Sequence, residues 1–301
     1  MNHPHPRRLT AADFHPEVLR LFDQYVHGAL DRRGFLEHVA RFAVGGWTAA
    51  TILDALAPRF AEAQTVAHDD ARLLRSFVEF ASPDGYGRGR GLLAIPKSAT
   101  GRRPGVLVVH ENRGLNPHIE DVALRVALAG YVAFAPDALA PLGGYPGDED
   151  RARTLFATLD QTKTTEDFVA ALHFLQRRPE CNGIVGVTGF CYGGGIANTL
   201  AVRVPDLAAS VPFYGNQPKS EDVPTIRAPL LLHYADMDDR INAGIPAYEA
   251  ALKAAGVRHQ IFKYAGTQHG FNNNTTPRFN KAAATLAWTR TLDFFQTHLG
   301  A

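Results

Sequence analysis

The sequence predicts an α/β fold, a mostly parallel central sheet with helices on both faces, preceded by an N-terminal helical extension. Three observations predict it. From about Arg75 onward, short apolar runs of strand length alternate with amphipathic segments of helical period. Those runs are continuous rather than alternating, as strands buried on both faces require. The first 70 residues, by contrast, carry helical segments and no strand-like run. The chain therefore divides into an extension over 1–70 and a main domain over 71–301.

The elements follow in order. Arg75–Ala81 and Gly91–Pro96 alternate apolar with polar or small residues around a Gly-rich turn at 83–89, which reads as an antiparallel hairpin at a sheet edge. Buried strands are then expected at 105–110, 131–135, 184–188, 209–214, 229–234 and 260–264. Helices are expected between and after them, at 117–129, 149–160, 164–177, 194–203, 244–255 and 278–298. Strict alternation of this kind gives a parallel sheet whose ligands bind beyond the carboxyl ends of its strands.

Two helical segments, 17–30 and 32–56, make up the extension. Arg32-Arg33-Gly34-Phe35-Leu36, a mildly apolar stretch over 43–57 and Ala61-Glu62-Ala63 admit two readings. One is a twin-arginine-like export segment with a small-residue cleavage site, giving a periplasmic or exported protein. The other is a helical extension retained and packed on the domain, giving a cytoplasmic one. Asp54 inside the apolar stretch and the long polar lead fit the second reading better.

Composition narrows the function classes. The 301 residues carry a net charge of +1 with scattered basic residues, so no footprint for nucleic acid appears. No stretch approaches the roughly 20 apolar residues that span a bilayer. Cys181 and Cys191 make neither a disulfide framework nor a metal-ligand spacing. With no phosphate loop and no redox dithiol, neither a cofactor nor a metal is expected. The expected partner is a small molecule, and the sequence leaves self-association as a homo-oligomer open.

The chemistry concentrates at Gly189-Phe190-Cys191-Tyr192-Gly193, between an apolar run and a helical one. This is a G-x-C-x-G version of the nucleophile elbow of α/β-hydrolases. In that turn the nucleophile adopts a strained backbone, and the residues two before and two after crowd it, so both lack a Cβ. The following helix aims its N-terminal N–H groups at the site, favouring a thiolate and an oxyanion. A free thiol, with a pKa of about 8.5, needs a base. The expected base is His269, on the loop after the last strand, in the chain order nucleophile, acid, histidine.

The acid belongs after the preceding strand, where Asp236, Asp238 and Asp239 compete. Asp238 is preferred, because Asp236 suits a turn at the strand end and Asp239 a solvated pair with Arg240. The loop His110-Glu111-Asn112-Arg113-Gly114 follows the first parallel strand. It would supply the second oxyanion donor, the backbone N–H of Asn112, beside that of Tyr192. Glu111 admits two readings: a carboxylate near the thiol that raises its pKa, or a solvated loop charge. These residues predict a cysteine-nucleophile hydrolase of ester or lactone bonds. A broad carboxylesterase is the alternative within the class, and a non-catalytic binding module on the same fold is the alternative outside it.

From about Phe77 to the C-terminus the chain resembles the dienelactone hydrolases, or carboxymethylenebutenolidases. The resemblance rests on Gly-Phe-Cys-Tyr-Gly-Gly, His-Glu-Asn-Arg-Gly, Leu-Leu-His-Tyr-Ala-Asp-Met-Asp and Gln-His-Gly-Phe. It implies Asp238 as the acid, and a resting thiol turned toward Glu111 until an anionic substrate displaces that carboxylate and releases the thiolate. It also implies that Arg153 clamps a substrate carboxylate. A second such arginine, expected just after His269, is missing there, and Arg278 comes later in the chain. The extension looks like that of a longer branch of the family.

Overall fold

A computed structural model describes residues 7–98 and 101–300. Among these residues four helices precede the sheet: α1 (Pro16–Val26), α2 (Arg32–Val39), α3 (Ala49–Leu56) and α4 (Phe60–Ala63). The strands are β1 (Leu73–Ser82), β2 (Gly87–Pro96), β3 (Arg103–Val109), β4 (Val132–Pro136), β5 (Cys181–Phe190), β6 (Ala209–Phe213), β7 (Leu230–Met237) and β8 (His259–Gln268). The remaining helices are α5 (Pro117–Leu128), α6 (Glu149–Phe156), α7 (Gln161–Gln176), α8 (Tyr192–Arg203), α9 (Asp239–Asn242), α10 (Ile245–Ala254) and α11 (Lys281–Leu299).

The sheet runs β1-β2-β4-β3-β5-β6-β7-β8. The β1–β2 and β2–β4 pairs are antiparallel and all others parallel, so the hairpin forms one edge as expected. The pleat divides each strand between two cores. From β3, Leu107 and Val109 pack with Phe168 and Leu172 of α7 and Ala197 and Leu200 of α8. Val106 and Val108 pack on the opposite face, with Ile119 and Val122 of α5 and Phe295 of α11. Burying a side chain of this size contributes roughly 1.5–3 kcal/mol.

Helix starts follow their caps. Asn116 accepts from the N–H of Ile119 at α5, Asp160 from those of Thr162 and Lys163 at α7, and Asn280 from that of Ala283 at α11. Two expectations are corrected. The segment 32–56 is not one helix: Gly45 and Gly46 take φ of 61° and 90°, and the helix breaks between α2 and α3. The helix after the elbow starts at Tyr192, two residues earlier than its glycines indicated.

The extension has its own core, in which Val18, Leu19, Phe22 and Val26 of α1 meet Phe35 and Val39 of α2 and Ile52, Leu53 and Leu56 of α3. It is tied to the main domain at several points. Asp121 of α5 accepts the N–H groups of Thr65 and Val66, each at 2.7 Å. Asn274 Nδ2 donates to the carbonyl of Ala63 at 2.7 Å, and Arg59 N–H to that of Thr275 at 2.9 Å. The paired arginines sit at the start of α2, Arg32 on Asp150 and Arg33 on Glu37. No helix among the described residues is long and apolar enough to cross a membrane.

Candidate active site

The elbow is a close meeting of backbones. A Cβ on Gly189 would lie 2.1 Å from the carbonyl oxygen of Gly193, and one on Gly193 would lie 2.3 Å from that of Val109. Cys191 itself takes φ 56° and ψ −112°, a conformation that side-chain-bearing residues rarely adopt. It is the N-cap of α8, so it stands at the end of the helix where the first backbone N–H groups have no partner within the helix.

Asp238 lies just beyond β7 and His269 just beyond β8, on neighbouring parallel strands. Nδ1 of His269 donates to Oδ2 of Asp238 at 2.6 Å, and both side chains are buried. Nε2 of His269 has no hydrogen-bond partner among the described residues. It shares a space with Cys191 Sγ and a His27 nitrogen, all within 4.8 Å of one another. Of the competing aspartates, Asp236 pairs with Lys263 at 3.2 Å and accepts from Gly266 N–H, while Asp239 is exposed.

The residue that sequence reasoning missed is His27, immediately after α1, whose Nε2 is 3.3 Å from Cys191 Sγ. Its Nδ1 donates to the carbonyl of Asp23 at 2.7 Å and lies 3.3 Å from the Asp23 carboxylate. Nothing local marks it, since a histidine at a helix end carries no motif. Electrostatics follow from this crowding. Burial pushes the Cys191 thiol up, but the nearby charges of His269 and His27, with the His27 hydrogen bond, outweigh it and bring the thiol down to about 5. Burial lowers His269, and the opposing pull of Cys191 and Asp238 raises it to about 10. His27 is likewise raised, chiefly by Cys191 and Asp23 acting against burial.

In the loop after β3, Asn112 stands three residues past Val109, as Tyr192 stands three past Gly189, and Val109 and Gly189 are paired in the sheet. The two loops are thus neighbours. Asn112 uses its side chain to donate to the carbonyl of Val26 at 2.8 Å. Glu111 is buried and accepts from Asn273 Nδ2 at 3.0 Å. Burial raises its carboxyl, but His118, Arg113, Arg278 and His269 together hold it below the usual range, as a carboxylate. The thiol contact in this structure is with His27, whereas the resemblance implied Glu111.

Arg153 and Arg278 line one cavity of about 340 Å³ together with Glu111, Phe22 and Tyr25. Cys191 is not in its lining; Val26 of α1 is. Both guanidiniums already have partners. Arg153 pairs with Asp150 at 3.2 Å and lies 4.0 Å over the ring of Tyr25. Arg278 pairs with Asp23 at 3.2 Å and lies over Phe22.

A mostly parallel sheet with a thiol in an elbow after β5, an acid after β7 and a histidine after β8 defines an α/β-hydrolase. Comparison with known proteins narrows the class. A family model described as the dienelactone hydrolase family matches residues 90–299, and one described as YqhI-like matches residues 5–44. A protein of Synechocystis sp. named as a candidate carboxymethylenebutenolidase is 35% identical over 230 residues, covering 69% of this chain and 92% of its own. A Bradyrhizobium sp. protein is 31% identical over 214 residues, covering 66% and 86%; its name is that of a candidate 2-oxo-3-(5-oxofuran-2-ylidene)propanoate lactonase. The crystal structure of a candidate dienelactone hydrolase from Klebsiella pneumoniae superposes with a TM-score of 0.65 at 28% identity, over 74% of this chain and 98% of that one. The chain belongs to the dienelactone hydrolase family and is a hydrolase acting on ester or lactone bonds.

Proposed function

We propose that Cys191 is the nucleophile of a Cys191–His269–Asp238 triad, carried by residues 71–301 with His27 of the N-terminal extension against the thiol. The observation that carries this reading is the 2.6 Å His269–Asp238 bond. It orients an otherwise unpartnered Nε2 toward the elbow thiol. Asp238 fixes the tautomer and stabilises the protonated ring. Sγ attacks the carbonyl carbon while the backbone N–H groups of Tyr192 and Asn112 hold the oxyanion. The C–O bond to the leaving group breaks, and the leaving oxygen takes the proton from His269. Water then adds to the thioester with His269 accepting its proton. The C–S bond breaks, the acid departs, and the thiolate with its imidazolium is restored.

The substrate is a small ester or lactone carrying a carboxylate, as the name of the Bradyrhizobium relative also indicates. Arg153 and Arg278 are the groups that would hold that carboxylate, with Glu111 as the buried negative charge it meets. A second reading, a broad carboxylesterase, is favoured by one observation: both arginines are already paired with Asp150 and Asp23.

The test is hydrolysis of a neutral aryl ester and of a dienelactone by the wild type, Cys191→Ala and Cys191→Ser. The alanine variant should lose about 10³-fold or more of kcat. Undiminished turnover in it would refute the nucleophile, and absence of turnover in the wild type would leave a binding module. A strong preference for the dienelactone supports the first reading over the second.

A further inference from the structure

We infer that His27, held by Asp23, is a catalytic residue supplied by the N-terminal extension, a second imidazole at the Cys191 sulfur beside His269. The inference rests on Cys191 being the nucleophile. Three measurements support it. His27 Nε2 touches Sγ at 3.3 Å, within the range of a hydrogen bond to sulfur. The His27 and His269 rings meet edge to face, with centroids 4.7 Å apart. The Nδ1 of His27 is bound to the Asp23 carbonyl at 2.7 Å and lies 3.3 Å from its carboxylate. A carbonyl can only accept, so the proton on Nδ1 is fixed and Nε2 is the nitrogen that exchanges a proton with sulfur. Asp23 thus does for His27 what Asp238 does for His269.

Docking of α1 does not explain this residue. The helix anchors through Val18, Leu19, Phe22 and Val26, an apolar face that holds it in place without an imidazole. Asn112 Nδ2 secures its end through the carbonyl of Val26. The ring of His27 is an addition at a point where the extension reaches the thiol.

The groups facing this pair come from every side. Arg240 of α9 has Nη2 3.2 Å from His27 Nε2 and, being able only to donate, opposes protonation of the ring. Arg278 sits on Asp23 at 3.2 Å and draws on the carboxylate that supports His27. His269, Arg113 and Tyr214 also feel the charge of the sulfur, and Glu111 acts on His269 through its own carboxylate. Against Arg240 stand the thiolate and Asp23, and their combined effect on the ring is to raise it.

The reaction balances with two imidazoles. The thiol proton resides on one of them, leaving a thiolate in the substrate-free enzyme. When Sγ bonds to the carbonyl carbon and the C–O bond breaks, the leaving oxygen takes that proton. His269 then serves the water, and the proton it gains remains on the imidazole pair when the C–S bond breaks and the thiolate returns.

The experiment uses the full chain. Cys191 alkylation by iodoacetamide is followed by mass spectrometry against pH, with buried Cys181 as internal reference. It is read for wild type, His27→Ala, His27→Gln and Asp23→Asn alongside steady-state hydrolysis of a neutral aryl ester. Opening of the cleft would relieve the burial that pushes the thiol up and so move the midpoint down, opposite to the rise expected from loss of His27. Both His27 variants should raise the midpoint by about one unit or more. They should lower kcat about 10–100-fold with KM little changed, and Asp23→Asn should act in the same direction but less. An unmoved midpoint overturns the proposal. So does a kcat/KM that rises in His27→Ala, which would make α1 a plug. If the alanine variant fails to fold, the glutamine variant carries the test. Hydrolysis retained by Cys191→Ala would refute the nucleophile and with it a catalytic His27, whereas an unmoved midpoint with Cys191→Ala inactive overturns the His27 role alone.

Discussion

Oδ2 of Asp238 accepts from Nδ1 of His269 at 2.6 Å, while Oδ1 of the same carboxylate caps α9 by accepting from Ile241 N–H at 3.4 Å. One side chain therefore orients the base and starts a helix. Asp238→Asn keeps the cap but presents the wrong hydrogen-bonding group to the ring, so kcat should fall about 10³–10⁴-fold with the fold retained. Asp238→Ala should lose the cap as well, about 1 kcal/mol of stability in a thermal melt. Asp236→Asn should leave kcat unchanged, since that carboxylate is occupied by Lys263 and Gly266.

The pH dependence follows from the thiol. Its value is lowered to about 5, so the charged form is present above that pH and is lost as pH falls through it. The His269 imidazolium, raised to about 10, is lost only as pH rises through that value. Alkylation rate and kcat/KM should therefore be flat across neutrality and fall on the acid side near pH 5. Glu111→Gln should shift this midpoint less than His27→Gln does, because Glu111 is bonded to Asn273 and His27 to the sulfur itself. A midpoint near that of a free thiol, about 8.5, would contradict the assigned electrostatics.

The elbow glycines make a stability prediction with an internal control. Gly193→Ala places a methyl 2.3 Å from the Val109 carbonyl oxygen, where strand backbone cannot yield, so the variant should misfold or melt far below the wild type. Gly195→Ala, one turn position further along α8, meets nothing nearer than 3.7 Å and should gain about 0.5–1 kcal/mol from helix propensity. Circular dichroism melts of the two variants read the contrast directly.

Much of this arrangement is legible in the sequence because it is local or periodic. Continuous apolar runs mark β3 to β7, and the glycines around Cys191 mark the elbow through their spacing alone. Asp238 is preferred over Asp236 and Asp239 in the sequence by turn chemistry and by the resemblance, while its bond to His269 joins two strand ends that the sequence holds 31 positions apart. The helix expected over 32–56 failed for a physical reason: the apolar pattern continues across Gly45-Gly46, while the backbone turns there with positive φ. His27 was invisible because its meaning depends on docking α1 across the cleft, a contact with Cys191 spanning 164 positions. Arg278 reads only as a late arginine in the chain, yet a loop returns it to the cavity that Arg153 lines.

That cavity yields the prediction that separates the two substrate readings. Arg278 is buried and pairs with Asp23 of α1, so a substrate carboxylate must take the place of the Asp23 carboxylate to reach it. Arg153 is poised in the same way, between Asp150 and the face of Tyr25. A charge-assisted hydrogen bond is worth about 1.5–3 kcal/mol, which corresponds to roughly 10–150-fold in binding. Arg278→Met should therefore raise KM for an anionic dienelactone by at least about 10-fold, with kcat changing less. A neutral aryl ester makes no such bond, so its KM should move far less. If the two substrates lose affinity equally, Arg278 serves to anchor α1 through Asp23 and the enzyme is a general esterase. If the anionic substrate alone is penalised, the extension and the substrate compete for one guanidinium.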